Sequence, residues 1–255
     1  MDYEPYDLII VGLALGAGGI IKGLTGFGLP IAAIAIMLNF LDPRSTLAVL
    51  VGPILVTNLW MALRSGNLRQ PLRRFWPLIC SFVVFLFVGA KLLVELDERI
   101  LFGLLGACVT VFAASSLLRP HARPLKPATE RWMAPIVGVV SGLLGGISTI
   151  WGPPLVVYLV RLQLDKESWI RTIALVWFLG SVPLTIGYWQ NGILNADTAL
   201  LTAYACLPAM VGMLLGSIVR QHLPQETFRK VLLAALVVIG LNLIRRRLGM
   251  ASLAP

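Results

Sequence analysis

The residues best placed to do chemistry in this chain lie at two glycine-rich breaks, each set between two apolar stretches. The first reads Gly19-Ile20-Ile21-Lys22-Gly23-Leu24-Thr25-Gly26-Phe27-Gly28-Leu29-Pro30. The second reads Gly142-Leu143-Leu144-Gly145-Gly146-Ile147-Ser148-Thr149-Ile150-Trp151-Gly152-Pro153-Pro154. Each carries hydroxyls, one aromatic side chain and a proline that reopens a helix. Proline is tolerated in a helix's first turn, where the N–H groups lack intrahelical partners anyway. The N–H groups left free there, together with the helix dipole, favour negative charge. The chemistry on offer is therefore anion binding. Helix starts at Gly28 and Gly152 would face the anion, and Thr25, Ser148 and Thr149 would add hydroxyl donors. Phe27 and Trp151 would wall off water and grip an apolar tail.

Lys22 stands one turn before the first break. A cation in an apolar span is costly and by default suggests function. Two readings stay open for it: contact with substrate, or snorkelling to the interface or bonding a carbonyl of the broken helix. The glycines likewise fit either a binding site, with Gly23, Gly26, Gly28, Gly146 and Gly152 in it, or close helix packing. Asn58 and Ser181 each fall 16 residues after a matched aspartate (Asp42 and Asp165), and either border the site or bond a neighbouring helix. Arg171, about one turn inside its helix, either draws anions from the cytoplasm or sets topology.

What is missing narrows the function classes. All twelve carboxylates fall at termini, loops or helix ends, and neither His121 nor His222 lies in a predicted span. There is no H-E-x-x-H, paired acid set or P-loop, so an embedded hydrolase lacks its acid and base. An ATP-driven pump would need a separate ATPase chain. Cys80, Cys108 and Cys206 lie in apolar stretches without metal-ligand spacing and read as small buried residues. No catalytic residue, metal or cofactor is expected.

The elements that must position these groups are membrane helices. Of 255 residues, 58% are hydrophobic and 13% charged, against about 25% charged in a soluble domain. The net charge of +9 sits in short loops between apolar runs, a topology and lipid-headgroup pattern rather than a nucleic-acid one. The acidic N-terminus (Asp2, Glu4, Asp7) does not read as a cleavable signal. Apolar runs at 8–22 and 27–41 are each shorter than the roughly 20 residues of a comfortable span, and read as a hairpin entering part-way or as two tight crossings. Longer runs follow at about 45–63, 75–94 and 100–118, then a polar linker, 119–131. After it the pattern restarts: Gly23 matches Gly146, and Asp42 and Ser45 match Asp165 and Ser168, all at an offset of 123. Gly66 matches Gly192, and Gly89 matches Gly216. The second half reads as hairpin 133–161 and helices at about 169–188, 198–219 and 228–244. The fold class expected is an all-α polytopic membrane protein of two repeats, 1–118 and 132–255.

Each repeat has an odd number of crossings, so the second should be inverted. Arg64, Arg69, Arg73 and Arg74 put that loop inside. Arg119, Arg123, Lys126 and Arg131, then Arg161, Lys166 and Arg171, then Arg220, Arg229 and Lys230 do the same for theirs, while 189–197 has no cation and reads as outside. Arg245, Arg246 and Arg247 disagree, falling outside on this count. Inverted repeats with broken helices are a transporter architecture, in which the two hairpin tips would meet near the centre.

At the two breaks the chain resembles the TauE/SafE family of membrane permeases, the sulfite exporter family. The resemblance rests on Gly19 to Pro30, with Lys22-Gly23-Leu24-Thr25-Gly26-Phe27-Gly28, and on Gly138 to Pro154, with Ser141-Gly142-Leu143-Leu144-Gly145-Gly146; the helix spacing extends it over about 8–244. It implies a bacterial inner-membrane permease for sulfite, organosulfonates or related small anions, with export a frequent assignment. The bulkier Ile150-Trp151-Gly152-Pro153-Pro154 departs from the first break and bears on substrate size. The combined expectation is a secondary transporter of a small sulfur-containing anion, with membrane lipids as its surroundings, no nucleic-acid partner and a homodimer as an open option. The alternatives are a transporter or channel for another small anion, such as a carboxylate, and a membrane enzyme acting on a lipid. The topology is directly testable: a cysteine placed in 64–74 should be labelled from the cytoplasm only, and one in 189–197 from outside only. Labelling of both from one side would sink the inversion.

Overall fold

The computed structural model describes residues 5–38, 40–96, 125–222, 224 and 227. Among them are eight helices: α1 Pro5–Thr25, α2 Leu29–Met37, α3 Pro43–Arg64, α4 Arg69–Glu95, α5 Pro127–Ser148, α6 Gly152–Val160, α7 Lys166–Gln190 and α8 Ala196–Gln221. Six are long and apolar enough to cross a membrane, and the two nine-residue helices, α2 and α6, are not. The expected helices at 100–118 and 228–244, residues 119–124 of the linker, Cys108, His121 and Arg245–Arg247 lie outside the described residues.

The hairpins differ from the expected pair of equal short arms. In each, the first arm is long (α1 with 21 residues, α5 with 22) and only the returning arm is short. Glycines 19, 23, 142 and 146 are helical, so each break narrows to three residues, 26–28 and 149–151, again 123 apart. The apolar run at 8–22 underestimates α1 because Lys22 and the glycines continue the helix rather than end it.

The small residues explain how the long arms are held. A methyl group on Gly23 would lie 2.8 Å from the Cα of Gly216 on α8, and one on Gly146 would lie 2.7 Å from the carbonyl carbon of Gly89 on α4. Gly19 meets Ala209 and Met213 in the same way, and Gly142 meets Phe82 and Leu86. In lipid, where helices have no hydrophobic drive to associate, such backbone approach supplies the van der Waals contact. The two crossings exchange partners: α1 of the first half packs on α8 of the second, and α5 of the second half on α4 of the first. Both pairs run in the same direction. Tyr204 donates to the Leu8 carbonyl (3.2 Å) and Arg220 to that of Gly23 (2.9 Å), while Gly138 and Gly146 meet α4 at Leu78 and Leu86.

The central pair is α3 and α7. Both start at an aspartate cap: Asp42 accepts from the Ser45 N–H and Asp165 from that of Ser168, each at 2.9 Å. The Ser168 bond holds the Asp165 carboxyl below the usual carboxylate range. Their ends lie at opposite ends of the bundle. The start of α3 shares a cavity of about 310 Å³ with the ends of α4 and α7. The end of α3 shares one of about 350 Å³ with the start of α7 and the end of α8. The Arg74–Glu130 ion pair (2.7 Å) ties the starts of α4 and α5 together.

Trp169 lies near a helix end, a common place for an interface anchor, yet it is 4% exposed and donates its indole N–H to the Thr25 carbonyl (3.2 Å), whereas Trp76 and Trp189 are exposed as anchors would be. Cys80 is exposed on the side of α4 rather than buried. Position in sequence near a helix end does not tell which face of the helix a residue takes.

Gly23→Ala and Gly146→Ala should each destabilise the protein by about 3 kcal/mol, because the added carbon meets backbone that cannot move aside. Gly152→Ala, whose new carbon would lie 3.7 Å from Trp177, should leave the fold intact. Thermal unfolding in detergent checks all three.

Candidate functional site

Breaking a helix within a membrane frees carbonyl and N–H groups that lipid cannot satisfy. Both breaks answer this with the same local device. Thr25 donates its hydroxyl to the Ile21 carbonyl (2.8 Å) and accepts from the Phe27 N–H (3.3 Å). Ser148, at the matching position, donates to the Leu144 carbonyl (2.6 Å) and accepts from the Ile150 N–H (3.1 Å). These hydroxyls, expected as substrate donors, are therefore engaged in closing the ends of α1 and α5. The freed carbonyls at Gly23 and Gly146 are capped from other helices, by Arg220 in the first case and by the Tyr188 hydroxyl (3.1 Å) in the second.

The breaks differ one residue further on. Gly26 has φ 90° and Thr149, its counterpart, has φ 58°. The left-handed region suits glycine, and for a β-branched residue it costs about 1–2 kcal/mol. The Thr149 side chain is 1% exposed, and its hydroxyl has no hydrogen-bond partner among the described residues. A strained backbone and an unspent buried donor thus coincide at the second break. Gly28 (φ 95°) and Trp151 then precede α2 and α6.

Lys22 does not snorkel. It is 2% exposed, and its ammonium nitrogen donates to the Thr57 hydroxyl (2.8 Å) and to the Asn58 side-chain carbonyl on α3. No carboxylate among the described residues pairs with it. An ammonium group has three donors, and two are accounted for. Asn58 passes the connection on: its amide donates to the Trp177 carbonyl on α7 (3.0 Å). The Trp177 ring lies edge-on to Trp151 at the second break (6.4 Å), and Trp151 lies edge-on to Phe82 (5.9 Å). The two breaks are thereby joined through α3 and α7, by one polar link and one aromatic link. Gly26 in turn packs on Ile170 and Ile173 of α7.

Of the residues expected from sequence, Lys22, Asn58 and Trp151 belong to this connected set, and Thr149 lies two residues before Trp151 with its hydroxyl unpartnered among the described residues. Gly23 and Gly146 serve the helix crossings. Phe27 is buried at the first break. Ser181, also buried, donates only to the Phe178 carbonyl of its own helix (2.8 Å) and makes no bridge of the Asn58 kind. Arg171 lies apart, in the basic cavity at the start of α7. Sequence reasoning missed Thr57, Trp177 and Arg220 as partners. Thr57 and Asn58 are adjacent polar residues in an apolar span, which is a signal; Trp177 acts through its carbonyl and ring together, and nothing in its residue type announces that. Asn58→Leu should cost about 1.5–3 kcal/mol, the range for a hydrogen bond to a charged group, read as a lower unfolding midpoint.

No solved structure matches this chain. A curated protein from Cupriavidus necator, described as a probable sulfite/organosulfonate exporter TauE, is 27% identical over 234 residues, which cover 90% of this chain and 91% of that protein. The family model described as sulfite exporter TauE/SafE matches residues 9–243. That match takes in both breaks and, but for the first turn of α1, all eight described helices, and its family is one of transporters rather than enzymes. With six helices able to span a bilayer among the described residues, the expectation of a multi-pass inner-membrane protein stands, and the chain belongs to the sulfite exporter TauE/SafE family.

Proposed function

We propose that the protein is a secondary transporter that exports a small sulfur-containing anion, sulfite or an organosulfonate, held between the two breaks. The observation that carries this reading is Lys22: a buried ammonium with no carboxylate partner among the described residues, fixed by two neutral acceptors. Neutral acceptors orient a cation without cancelling its charge, so the site keeps its attraction for an incoming anion. Removing an ammonium group from water costs several kcal/mol, and an anion would offset that cost. Thr149 would add a hydroxyl and the start of α6 its N–H groups, with Trp151 and Trp177 excluding water. The sulfur-anion class follows the family and the C. necator relative.

Two further features support alternating access. The site residues are shut off from solvent: Asn58 is 0% exposed, Thr149 1% and Trp151 2%. The two cavities also lie at opposite ends of the α3–α7 pair. This suits inverted repeats, 1–118 and 132–255, that open the same site to each side in turn.

The test is sulfite uptake into proteoliposomes, competed with organosulfonates, sulfate and short carboxylates. Saturable flux blocked by sulfonates is expected; flux blocked by carboxylates alone would assign the other anion class. Lys22→Met, which keeps the length of the side chain and loses the charge, should weaken sulfite binding at least tenfold, about 1.4 kcal/mol. Wild-type binding in a folded Lys22→Met protein would remove Lys22 from the site.

A further inference from the structure

The two end cavities are counterparts in the repeat but not in charge. The one at the start of α3 has Asp42 and Arg44, a balanced pair, with Asn191, Asn195 and Thr198. The one at the start of α7 has Arg64, Lys166, Arg171 and Arg220 against a single carboxylate, Glu167. Arg171 is half-buried and has no hydrogen-bond or ion-pair partner among the described residues. Arg220, also half-buried, spends one N–H on the Gly23 carbonyl, and a guanidinium has five. The cavity's inner wall is Ile170, whose Cδ1 would lie 3.3 Å from a carbon added to Gly26. One layer of side chain therefore separates a basic cavity from the first break, and one guanidinium touches both.

From this arrangement we propose that the cavity is a second oxyanion site, a vestibule that gathers anions at the basic end before they pass Ile170. It rests on the transporter reading above and gives that reading a loading side. A cleft of one sign raises the local concentration and arrival rate of opposite charges by roughly 10-fold to 1,000-fold. The chemistry recognised is a compact oxyanion able to accept from two guanidinium groups at once. A free sulfur oxyanion and a lipid headgroup phosphate share that chemistry, so the test must separate them. The gain acts on loading at sub-saturating concentration and leaves the equilibrium across the membrane unchanged.

The experiment is arginine modification of the full-length protein by phenylglyoxal in phosphatidylcholine nanodiscs, followed by mass spectrometry with and without sulfite. Sulfite should slow modification of Arg171 and Arg220 by at least threefold while leaving Arg44, in the opposite cavity, unchanged. Arg171→Gln should abolish the protection of Arg220, and Lys22→Met should preserve it. About 1 M sodium chloride should remove it, since screening then acts within about 3 Å. Absence of protection in the wild-type protein, or equal protection of Arg44, would overturn the vestibule. So would protection seen only on replacing phosphatidylcholine with phosphatidylglycerol, which would assign the cavity to lipid headgroups. Sulfite flux without protection would remove the vestibule and keep the transporter; protection without flux would do the reverse.

Discussion

The constraint on which the structure depends is that backbone freed inside a membrane must find protein partners. Two helices stop within the bundle, and every consequence follows from satisfying their ends. Thr25 and Ser148 close the second N–H group beyond each helix, and Arg220, Tyr188 and Trp169 take up carbonyls at Gly23, Gly146 and Thr25. Those caps come from α7 and α8, so the breaks cannot form without the helices that carry them. The close glycine crossing of α1 on α8 brings Arg220 near enough to reach Gly23.

The site inherits its character from this arrangement. Because Thr25 and Ser148 are used in closure, the polarity left over belongs to Lys22 and Thr149, one cation and one hydroxyl on different breaks. Asn58 holds the cation and the Trp177 carbonyl together, which keeps α3 and α7 in register at the depth of the breaks. Any shift of α3 against α7 would act on Lys22 first. Lys22 and the contact between α3 and α7 are thus one hydrogen-bonded unit, the coupling that the proposed transport between two sides calls for.

Much of this is legible in the chain. The offset of 123 between Gly23 and Gly146 carries through to matched breaks, matched aspartate caps and matched crossings, because repeats of sequence meet the same local physics twice. Lys22 stands out for the same reason that a charge in any apolar run does. The roles of the glycines are less legible. Gly23 and Gly26 are three residues apart, yet one faces a helix and the other turns the chain, and composition alone treats them alike. Trp169 and Arg220 lie near helix ends, and their partners, Thr25 and Gly23, are more than 140 residues away. Long-range capping of this kind leaves no local pattern.

The exchange of arms between the halves has a consequence for how the chain is made. Leu8 is bonded to Tyr204 across 196 residues, and Gly23 to Arg220 across 197. At about 5–20 residues per second of synthesis, α1 waits on the order of 10–40 s for the helix it packs against, with a glycine-lined face uncovered. The second arm, α5, emerges after α4 and can dock at once. Biogenesis is therefore lopsided, although the two breaks are built alike. The early, unpartnered arm is the point at which the insertion machinery or a chaperone would have most to protect.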